Sequence, residues 1–391
     1  MKRDDKMSKK TIVAGHICLD ITPKIPDRKA AHVHDVLCPG KMIHVDGADI
    51  HTGGTVANTG LAMKILGADV SLAGKIGDDE FGDMVEKIME GYGAADGLIR
   101  SKNDRTSYSV VIAVPGLDRI FMHDPGANDT FCYDDLSPDM IEDAALFHFG
   151  YPPVMKRMYE DNGAQLVRIM KNVQSMGVVT SLDMTSVDPD SESGKSDWKK
   201  ILENTLPYVD IFAPSAEELM FMLCRNRYES ICDLSKGEDF TDHMDIEGDV
   251  IPMAEQCLEM GSKIVLIKCG ARGMYYLTAG KEKIEKTGER LEMDAGKWSD
   301  KSGFAAGFIP EHLVSATGAG DAAIAAFLTS VIKGYGPEDC VKYATATGAL
   351  AVTGYDALSG LKSFEEIDRM IASGWKRRSG GLTSNIARNI I

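Results

Sequence analysis

The amino-acid sequence predicts an α/β fold with a central, mostly parallel sheet that is covered by helices on both faces. Short apolar runs typical of buried strands recur along the chain, and between them lie segments whose apolar residues repeat at helical spacing. Because parallel neighbours need long crossover connections, usually helices, this alternation favours a parallel sheet. The strand-like runs are residues 146–149, 178–183, 211–213 and 263–267, and the helical patterns among them are residues 167–176, 216–223 and 253–260.

The N-terminal part starts with the same alternation. Residues 11–19 predict one buried strand, and residues 55–66 predict a helix that follows it. Residues 108–114 and 120–123 are extended runs separated by Pro115-Gly116, so we expect them to form a hairpin.

The C-terminal third is predicted to be helical. Helical patterns cover residues 318–332, 337–353 and 364–372. Ser363 and Glu366 form a capping-box pattern at the start of the last helix.

Two polar segments without a strong period, residues 188–197 and 281–304, are predicted to be surface insertions. No repeat of fixed period is present. We therefore expect a single domain over residues 10–375, followed by a C-terminal tail at 376–391.

Composition excludes several classes of function. The 391 residues include 43 basic and 59 acidic ones, and the resulting net charge of −16 argues against a nucleic-acid partner. Eight cysteines without a Cys-x-x-Cys pair suggest neither a zinc ribbon nor a disulfide framework. The longest small-apolar stretch, residues 313–332, contains Asp321, and the N-terminus has no signal-peptide pattern. We expect no membrane span and a cytoplasmic location.

A turn of small residues, Thr317-Gly318-Ala319-Gly320-Asp321, opens directly into a helical pattern. The first N–H groups of a helix lack intrahelical partners, and glycine lets an anion approach them closely. We predict that Gly318, Ala319 and Gly320 form an anion hole for a transferring phosphoryl group.

Asp321 stands at the end of this turn. A carboxylate there would repel a passively bound phosphate, but it could accept the proton of an attacking hydroxyl as a general base. The alternative is an ordinary negative charge in the first turn of a helix, which the helix dipole favours. The turn by itself leaves both interpretations open.

Further motifs, taken together with this turn, resemble the ribokinase (PfkB) family of carbohydrate kinases. Two glycine-rich signatures stand in the family's order, and the resemblance covers roughly residues 12–364. The motifs before the turn are Gly53-Gly54-Thr55-Val56-Ala57-Asn58, Leu66-Gly67, Gly74-Lys75-Ile76-Gly77-Asp78-Asp79-Glu80-Phe81-Gly82, Pro125-Gly126-Ala127-Asn128 and Cys269-Gly270-Ala271-Arg272-Gly273.

The resemblance implies a sugar site on one side of the turn. The family places a sugar hydroxyl on an aspartate after the first strand, here Asp20, with Gly53, Gly54 and Asn58 completing that side. Without the resemblance, Asp20 would be read as a strand-end residue and Asn58 as a polar group at a helix start.

The resemblance also implies a site for ATP and Mg²⁺. Lys268, Gly270 and Gly273 would lie beside the nucleotide, and the adenine would pack near residues 352–358. Glu218 would help to arrange the magnesium ion and its waters.

The sequence departs from the family pattern at three places. Ser315-Ala316 replaces the usual Asp-Thr before the anion hole, so a monovalent-cation site that depends on that aspartate stays uncertain. Ser215 replaces an asparagine near the magnesium site. Gly150 stands where ribokinases carry a substrate-binding glutamate, so ribose is not the first substrate to expect.

Taken as a whole, the resemblance implies a ribokinase-like three-layer sandwich with a small β lid from about residues 21–50 and 105–123. The function implied is ATP-dependent phosphorylation of a sugar or nucleoside hydroxyl, and a homodimer formed through the lid is one option. His44, Asn103, Arg105 and His123 are candidates for the lid side chains that distinguish substrates.

Three rival interpretations differ in class from a sugar kinase. The first is a sensor that binds a sugar or nucleotide with weak or no catalysis. The second is a P-loop at Gly194-Lys195-Ser196, which lacks the required earlier glycine. The third is a dehydrogenase, because the turn also fits the loose dinucleotide fingerprint.

Overall fold

A computed structural model of the protein describes residues 9–26, 35–114, 119–235 and 239–379. An eight-stranded sheet forms its centre, in the order β14-β13-β12-β11-β10-β9-β1-β4. Its strands from β4 to β12 run parallel, while β13 and β14 add an antiparallel edge, so the predicted fold class is confirmed. The strands are β1 (Lys10–Gly15), β2 (Cys18–Pro23), β3 (Ala48–Gly53), β4 (Val70–Ala73), β5 (Lys75–Gly77), β6 (Ile99–Ser101), β7 (Tyr108–Ile112), β8 (Ile120–Asp124), β9 (Ala144–Gly150), β10 (Val179–Leu182), β11 (Ile211–Phe212), β12 (Ile264–Lys268), β13 (Gly273–Thr278) and β14 (Ser302–Ala306).

Helices pack on both faces of this sheet and enclose two apolar cores. Successive strand residues point to opposite faces, so Leu146 of β9 joins one core and Phe147 joins the other. The helices are α1 (Thr55–Ile65), α2 (Glu80–Gly91), α3 (Pro138–Glu142), α4 (Lys156–Tyr159), α5 (Ala164–Ser175), α6 (Trp198–Thr205), α7 (Ala216–Leu223), α8 (Arg225–Ser235), α9 (Ile251–Glu259), α10 (Lys281–Ile284), α11 (Ala295–Trp298), α12 (Ala319–Ile332), α13 (Pro337–Ala351) and α14 (Phe364–Ala372). Of these, α1, α12 and α13 line the first core, and α5, α6, α7 and α9 line the second.

A second sheet of four strands, in the order β3-β2-β7-β8, forms the predicted lid. Strands β7 and β8 pair antiparallel, which confirms the hairpin. Its turn at Pro115-Gly116, and part of the predicted lid segment 21–50, lie outside the described residues. Strand β2 pairs with both β3 and β7, so the lid joins two distant parts of the chain.

The prediction of one strand over residues 11–19 is wrong. Strand β1 ends at Gly15, and β2 starts at Cys18 in the lid sheet. Gly15 has a φ of +123°, and a side chain there would overlap the carbonyl of Gly150 on the neighbouring strand. The chain leaves the central sheet at this glycine because two backbones meet there too closely for any Cβ.

The prediction of a surface insertion at residues 281–304 is also wrong. This segment contains α10, α11 and the start of β14, which supplies the edge of the central sheet. Trp298 and Phe304 are each only 2% exposed. Short helices and a single edge strand are too short to show a repeating pattern of apolar residues. The many polar residues of the segment therefore made it resemble a surface loop.

The C-terminal segment of the described chain packs beside β14. Backbone hydrogen bonds join Ile309 to Lys376 and Arg378 to Gly307, and Trp375 stacks on Phe308 at 4.5 Å between ring centroids. Residues 380–391 of the predicted tail lie outside the described chain. Within the described residues, no helix has both the length and the apolar character that a bilayer span needs.

Candidate active site

The carboxyl ends of the parallel strands bring several polar side chains to one edge of the sheet. His16 follows β1, Tyr151 follows β9, Asp183 follows β10 and Lys268 ends β12. The strand order reverses beside β1, since its parallel neighbours β4 and β9 lie on opposite sides. In open α/β sheets such a reversal opens a crevice where ligands bind.

Asp321 lies over this crevice in the first turn of α12 and is 4% exposed. Its Oδ2 accepts hydrogen bonds from Asn58 Nδ2 at 3.1 Å and from the Tyr151 hydroxyl at 2.8 Å, and its Oδ1 accepts one from Thr59 Oγ1 at 3.2 Å. A carboxylate offers about four acceptor positions, so these three donors leave one open on Oδ1. The two predicted residues Asp321 and Asn58 are therefore in direct contact.

The electrostatics of Asp321 suit a base that accepts a proton. Burial raises the pKa of Asp321 above its ordinary value, although the Tyr151 hydrogen bond, the charge of Lys268, and Asn58 and Thr59 oppose the rise. A base with a raised pKa holds an accepted proton more firmly, while the neighbouring donors favour the charged form of the carboxylate.

The predicted anion hole forms the N-terminus of α12. Gly318 caps the helix with a φ of +77°, and a side chain there would overlap the Cβ of Ala357. The Ala319 N–H donates to the Ala316 carbonyl at 3.3 Å, which ties up one of the predicted donors. Gly320 occupies the second helical position, where an N–H has no carbonyl one turn earlier to bond.

Lys268 lies beside this helix start. Its Nζ donates to Asp183 Oδ1 at 2.7 Å, and a side chain on Gly320 would meet the same Nζ at 3.7 Å. Burial would lower the pKa of Lys268, but the negative charges of Asp183, Glu218 and Asp321 outweigh it and raise that pKa. Lys268 therefore carries its positive charge next to the predicted anion hole.

Asp20 lies on the lid side of the crevice. Its carboxylate accepts a hydrogen bond from Cys18 Sγ at 3.3 Å, and burial raises its pKa. A side chain at Gly53 would overlap Oδ2 of Asp20, which explains why this motif position is glycine. The predicted pair Asp20 and Gly53 is thus in contact, on adjacent strands of the lid.

A histidine pair lines the same side: His123 is one of the lid candidates, whereas His16 was not predicted as a site residue. His16 Nε2 lies 3.2 Å from His123 Nε2, and His123 Nδ1 bonds Ser109 Oγ at 3.0 Å. Burial holds the pKa of His16 well below the usual histidine value, with His123 adding to the effect, and burial also lowers the pKa of His123. Burial therefore favours the neutral form of both rings. Gly54 is glycine because a Cβ would overlap His16.

The other lid candidates lie away from this pair. Arg105 is 74% exposed and pairs with Asp124 at 2.6 Å. His44 and Asn103 are exposed.

Tyr151 was missed because nothing in its sequence neighbourhood distinguishes it. The residue has a left-handed backbone, φ 68° and ψ 37°, and burial raises the pKa of its hydroxyl well above the usual value, with Asp321 adding to this. Gly150 before it has no room for a side chain, which would overlap Thr55. Tyr151 therefore supplies the polar group that follows β9.

The remaining predicted residues are explained by local packing. Gly270 has a φ of +54°, and a Cβ there would lie 2.8 Å from Thr241 Oγ1, while a side chain at Gly273 would overlap the Ala305 carbonyl. Glu218 forms a capping box with Ser215, whose N–H donates to Glu218 Oε2 at 2.7 Å. These local contacts explain the residue type at each of the three positions.

The described residues contain no group of three or more acidic, histidine or cysteine side chains arranged to hold a metal ion. A cavity of about 540 Å³ lies between the segment before the anion hole and the helices α13 and α14, and Thr353 and Trp375 are among its lining residues. Thr353 belongs to the segment 352–358 predicted to pack the adenine, whereas none of the residues predicted for the sugar, the anion hole or the magnesium ion lines this cavity.

The chain is similar to several known proteins. Residues 27–363 match the model of the pfkB family carbohydrate kinases. An uncharacterised sugar kinase of Archaeoglobus fulgidus is 27% identical over 304 residues, which cover 77% of this chain and 98% of the relative.

Solved structures show the same fold. A fructokinase from Xylella fastidiosa with bound ATP superposes with a TM-score of 0.68 at 19% identity, covering 94% of this chain and 99% of that one. A putative ribokinase II from E. coli in complex with ATP and Mg²⁺ gives a TM-score of 0.66 at 20% identity, covering 93% and 99%.

Proposed function

Because the chain belongs to the pfkB family of carbohydrate kinases, we propose that it uses ATP to phosphorylate a hydroxyl of a sugar or sugar-like molecule, with Asp321 as the general base. The observation that carries this proposal is the buried Asp321 carboxylate at the start of α12, held by three donors and open on Oδ1. A helix-capping charge alone would need none of these contacts, since the helix dipole acts on an exposed carboxylate as well.

The reaction follows from the position of this carboxylate. The acceptor hydroxyl donates to Oδ1 of Asp321 and passes its proton there as its oxygen bonds the γ-phosphorus of ATP. The bond from that phosphorus to the bridging oxygen breaks, and the electron pair leaves with ADP. Asn58, Thr59 and Tyr151 keep the carboxylate oriented throughout.

The helix start and Lys268 would stabilise the transferring group. The N–H groups at Gly318 and Gly320, together with the helix dipole, face the negative charge that develops on the equatorial oxygens. The Lys268 ammonium lies beside Gly320, and Asp183 fixes its direction. Since both partners are buried, this charge is screened little by solvent.

Mg²⁺ fits the same edge of the sheet. The capping hydrogen bond of Glu218 uses Oε2, so the other carboxylate oxygen takes no part in it. Glu218 also interacts electrostatically with Lys268 and Asp183. We infer that Glu218 would help to hold the ion, because a carboxylate oxygen is a ligand that Mg²⁺ prefers. The ion would neutralise charge on the nucleotide phosphates.

The adenine would lie against the loop that precedes the anion hole. Leu313 and Val314 are 72% and 49% exposed, so two adjacent apolar side chains face solvent in this loop. The Val314 N–H donates to the Val352 carbonyl at 2.8 Å, so this loop and residues 352–358 form one surface. An apolar surface of this kind suits a purine base.

The test combines a substrate screen with one substitution. Consumption of ATP is measured over pentoses, hexoses, sugar acids and nucleosides, with Mg²⁺ and with or without K⁺. On the substrate found, Asp321→Asn should lower kcat by about 10² to 10⁴-fold, the usual contribution of a general base.

Asp339→Asn is the matched control for this substitution. Asp339 occupies the same third position of α13, but it is exposed and bonds only Lys342 at 2.9 Å among the described residues. Its loss should leave kcat unchanged. Equal effects of the two substitutions, or a kcat of Asp321→Asn close to that of the wild type, would refute the general-base role. ATP binding without turnover on any acceptor would favour the sensor.

A further inference from the structure

The last described residues of the chain hold the segment that leads from β14 to the anion hole. We call residues 375–378 the C-terminal segment and residues 307–314 the connecting segment. Two backbone hydrogen bonds join them, at 2.8 Å and 2.9 Å, and the segments run antiparallel at the bridge between Phe308 and Arg377. A stretch that the sequence predicts as the start of a tail is therefore bonded to the body of the domain.

Phe308 of the connecting segment contacts two side chains of the C-terminal segment. Trp375 stacks on its ring at 4.5 Å between centroids, and Cζ of Arg377 lies 4.4 Å from the ring centroid. Trp375 Nε1 also donates to the Ile309 carbonyl at 2.7 Å. These contacts leave Phe308 only 3% exposed. Stacking and a cation over a ring both fix the ring's position, so the C-terminal segment fixes the start of the connecting segment.

The rest of the connecting segment has few other anchors. At its start the Gly307 N–H donates to the Arg272 carbonyl at 2.9 Å, and at its end the Val314 N–H donates to the Val352 carbonyl at 2.8 Å. Within the described part of the chain, residues 310–313 form no backbone hydrogen bond. These four residues are exposed or half-buried. Their path is therefore fixed from the two ends of the segment.

A cavity lies beside this exposed stretch. Its volume is about 540 Å³, and its lining includes residues 309–312 together with Trp375 and Thr353. No packed atoms support the stretch from this side, so the loss of a contact at one end would let it shift into the open space.

We propose that Trp375 is a positioning residue for ATP, because it holds the connecting segment in the conformation that binds the adenine. Trp375 acts through this segment and not on the reacting atoms. Without its contacts the segment would spend part of its time in other conformations, and the apparent Kd of ATP would rise in inverse proportion to the competent fraction. This inference rests on the proposed kinase function, in which the adenine lies against residues 313–314 and 352–358.

The test is a calorimetric titration with ATP and Mg²⁺ in the absence of an acceptor. Trp375→Ala should raise the Kd of ATP at least about tenfold, which corresponds to a competent fraction of about one tenth or less. In turnover assays the KM of ATP should rise by a similar factor, while kcat and the KM of the acceptor, measured at saturating ATP, stay within about twofold of the wild type.

Two further variants separate positioning from a general loss of stability. Trp375→Phe keeps a stacked ring and loses only the Nε1 donor, so the Kd of ATP should rise about two- to fivefold. Tyr335→Ala is the matched control, because Tyr335 is also half-buried and stacks on Tyr343 at 5.7 Å, but it follows the far end of α12. Its loss should lower the melting temperature without changing the Kd of ATP.

Amide hydrogen exchange of the wild type supplies a readout that does not depend on turnover. Coupling between two sites is reciprocal, so bound ATP must stabilise the C-terminal segment if this segment favours ATP binding. ATP should slow exchange at the Ile309 and Arg378 N–H groups, which bond across the two segments, by at least about threefold.

Three results would overturn the proposal. The first is a Kd of ATP within about twofold of the wild type for Trp375→Ala, or for Trp375→Phe if the alanine variant does not fold. The second is an equal rise in Trp375→Ala and Tyr335→Ala, and the third is unchanged exchange at both N–H groups on ATP binding. A wild-type protein that binds no ATP would instead count against the kinase function, so the two failures are distinguishable.

Discussion

The sharpest prediction concerns the buried ion pair of Lys268 and Asp183. Their side chains are 11% and 1% exposed, and the charged atoms are 2.7 Å apart. Lys268→Met keeps the length of the side chain but leaves the Asp183 carboxylate near Glu218 and Asp321 without its cation. Breaking a buried pair in this way costs about 3–5 kcal/mol, a large part of the roughly 5–15 kcal/mol that stabilises a typical domain.

The loss of stability in Lys268→Met should depend on pH in a definite direction. Burial raises the pKa of Asp183, and Lys268 is the main group that opposes this rise. Without Lys268, Asp183 binds a proton more tightly in the folded protein than in the unfolded chain. The variant therefore keeps its stability at low pH and loses it as the pH rises through the pKa of Asp183 in the folded state. The deficit of Lys268→Met relative to the wild type should therefore be larger at about pH 9 than at about pH 6.

Urea denaturation at the two pH values measures this free energy, provided that the slope of the transition is unchanged. Lys286→Met is the matched control, because Lys286 pairs with Glu282 at 2.9 Å on the surface and should show no measurable change. The double variant Lys268→Met/Asp183→Asn should lose at least about 1 kcal/mol less than the sum of the single losses. Additive losses, or a Lys268→Met loss below about 1 kcal/mol, would refute the reasoning.

Three further predictions concern the catalytic edge. Tyr151→Phe removes a hydrogen bond that lowers the pKa of Asp321, so the acidic limb of the kcat–pH profile should move to higher pH; an unmoved limb would contradict this. Gly318→Ala should lower the stability of the protein by more than Gly334→Ala. Both glycines have a positive φ, and the strain of an alanine there costs about 1–2 kcal/mol. Only a side chain at position 318 would also overlap another residue, Ala357. Chelation of Mg²⁺ should abolish turnover without changing the circular dichroism spectrum, and a lost spectrum would indicate a structural ion.

The fold could be predicted because its signals are local. Alternation of strand and helix patterns depends on residues a few positions apart, and the capping box of Ser363 and Glu366 is present as expected. The anion-hole turn is also local, since the positive φ of Gly318 requires glycine whatever lies around it. Asp321 and Asn58 were identifiable for the same reason, because each stands inside a short motif.

The rest of the site depends on contacts between distant segments. Tyr151 meets Asp321 across 170 positions, and His16 meets His123 across 107. No local pattern marks such residues, because their meeting depends on the strand order and on the place where β1 leaves the central sheet. That exit at Gly15 was hidden by an apolar run that continues from one sheet into the next.

The absence of space at Gly150 restricts the order in which this site could change. Thr55, fully buried at the start of α1, fills the volume that any side chain at position 150 would need. A glutamate at 150 in the present background would force apart two packed segments, so a smaller residue at 55 has to come first. If the glutamate at 150 came before the change at 55, the intermediate protein would be destabilised. Directed evolution towards an acidic group after β9 should therefore recover the two substitutions in that sequence or together, and a library that varies position 150 alone should yield no folded glutamate variant.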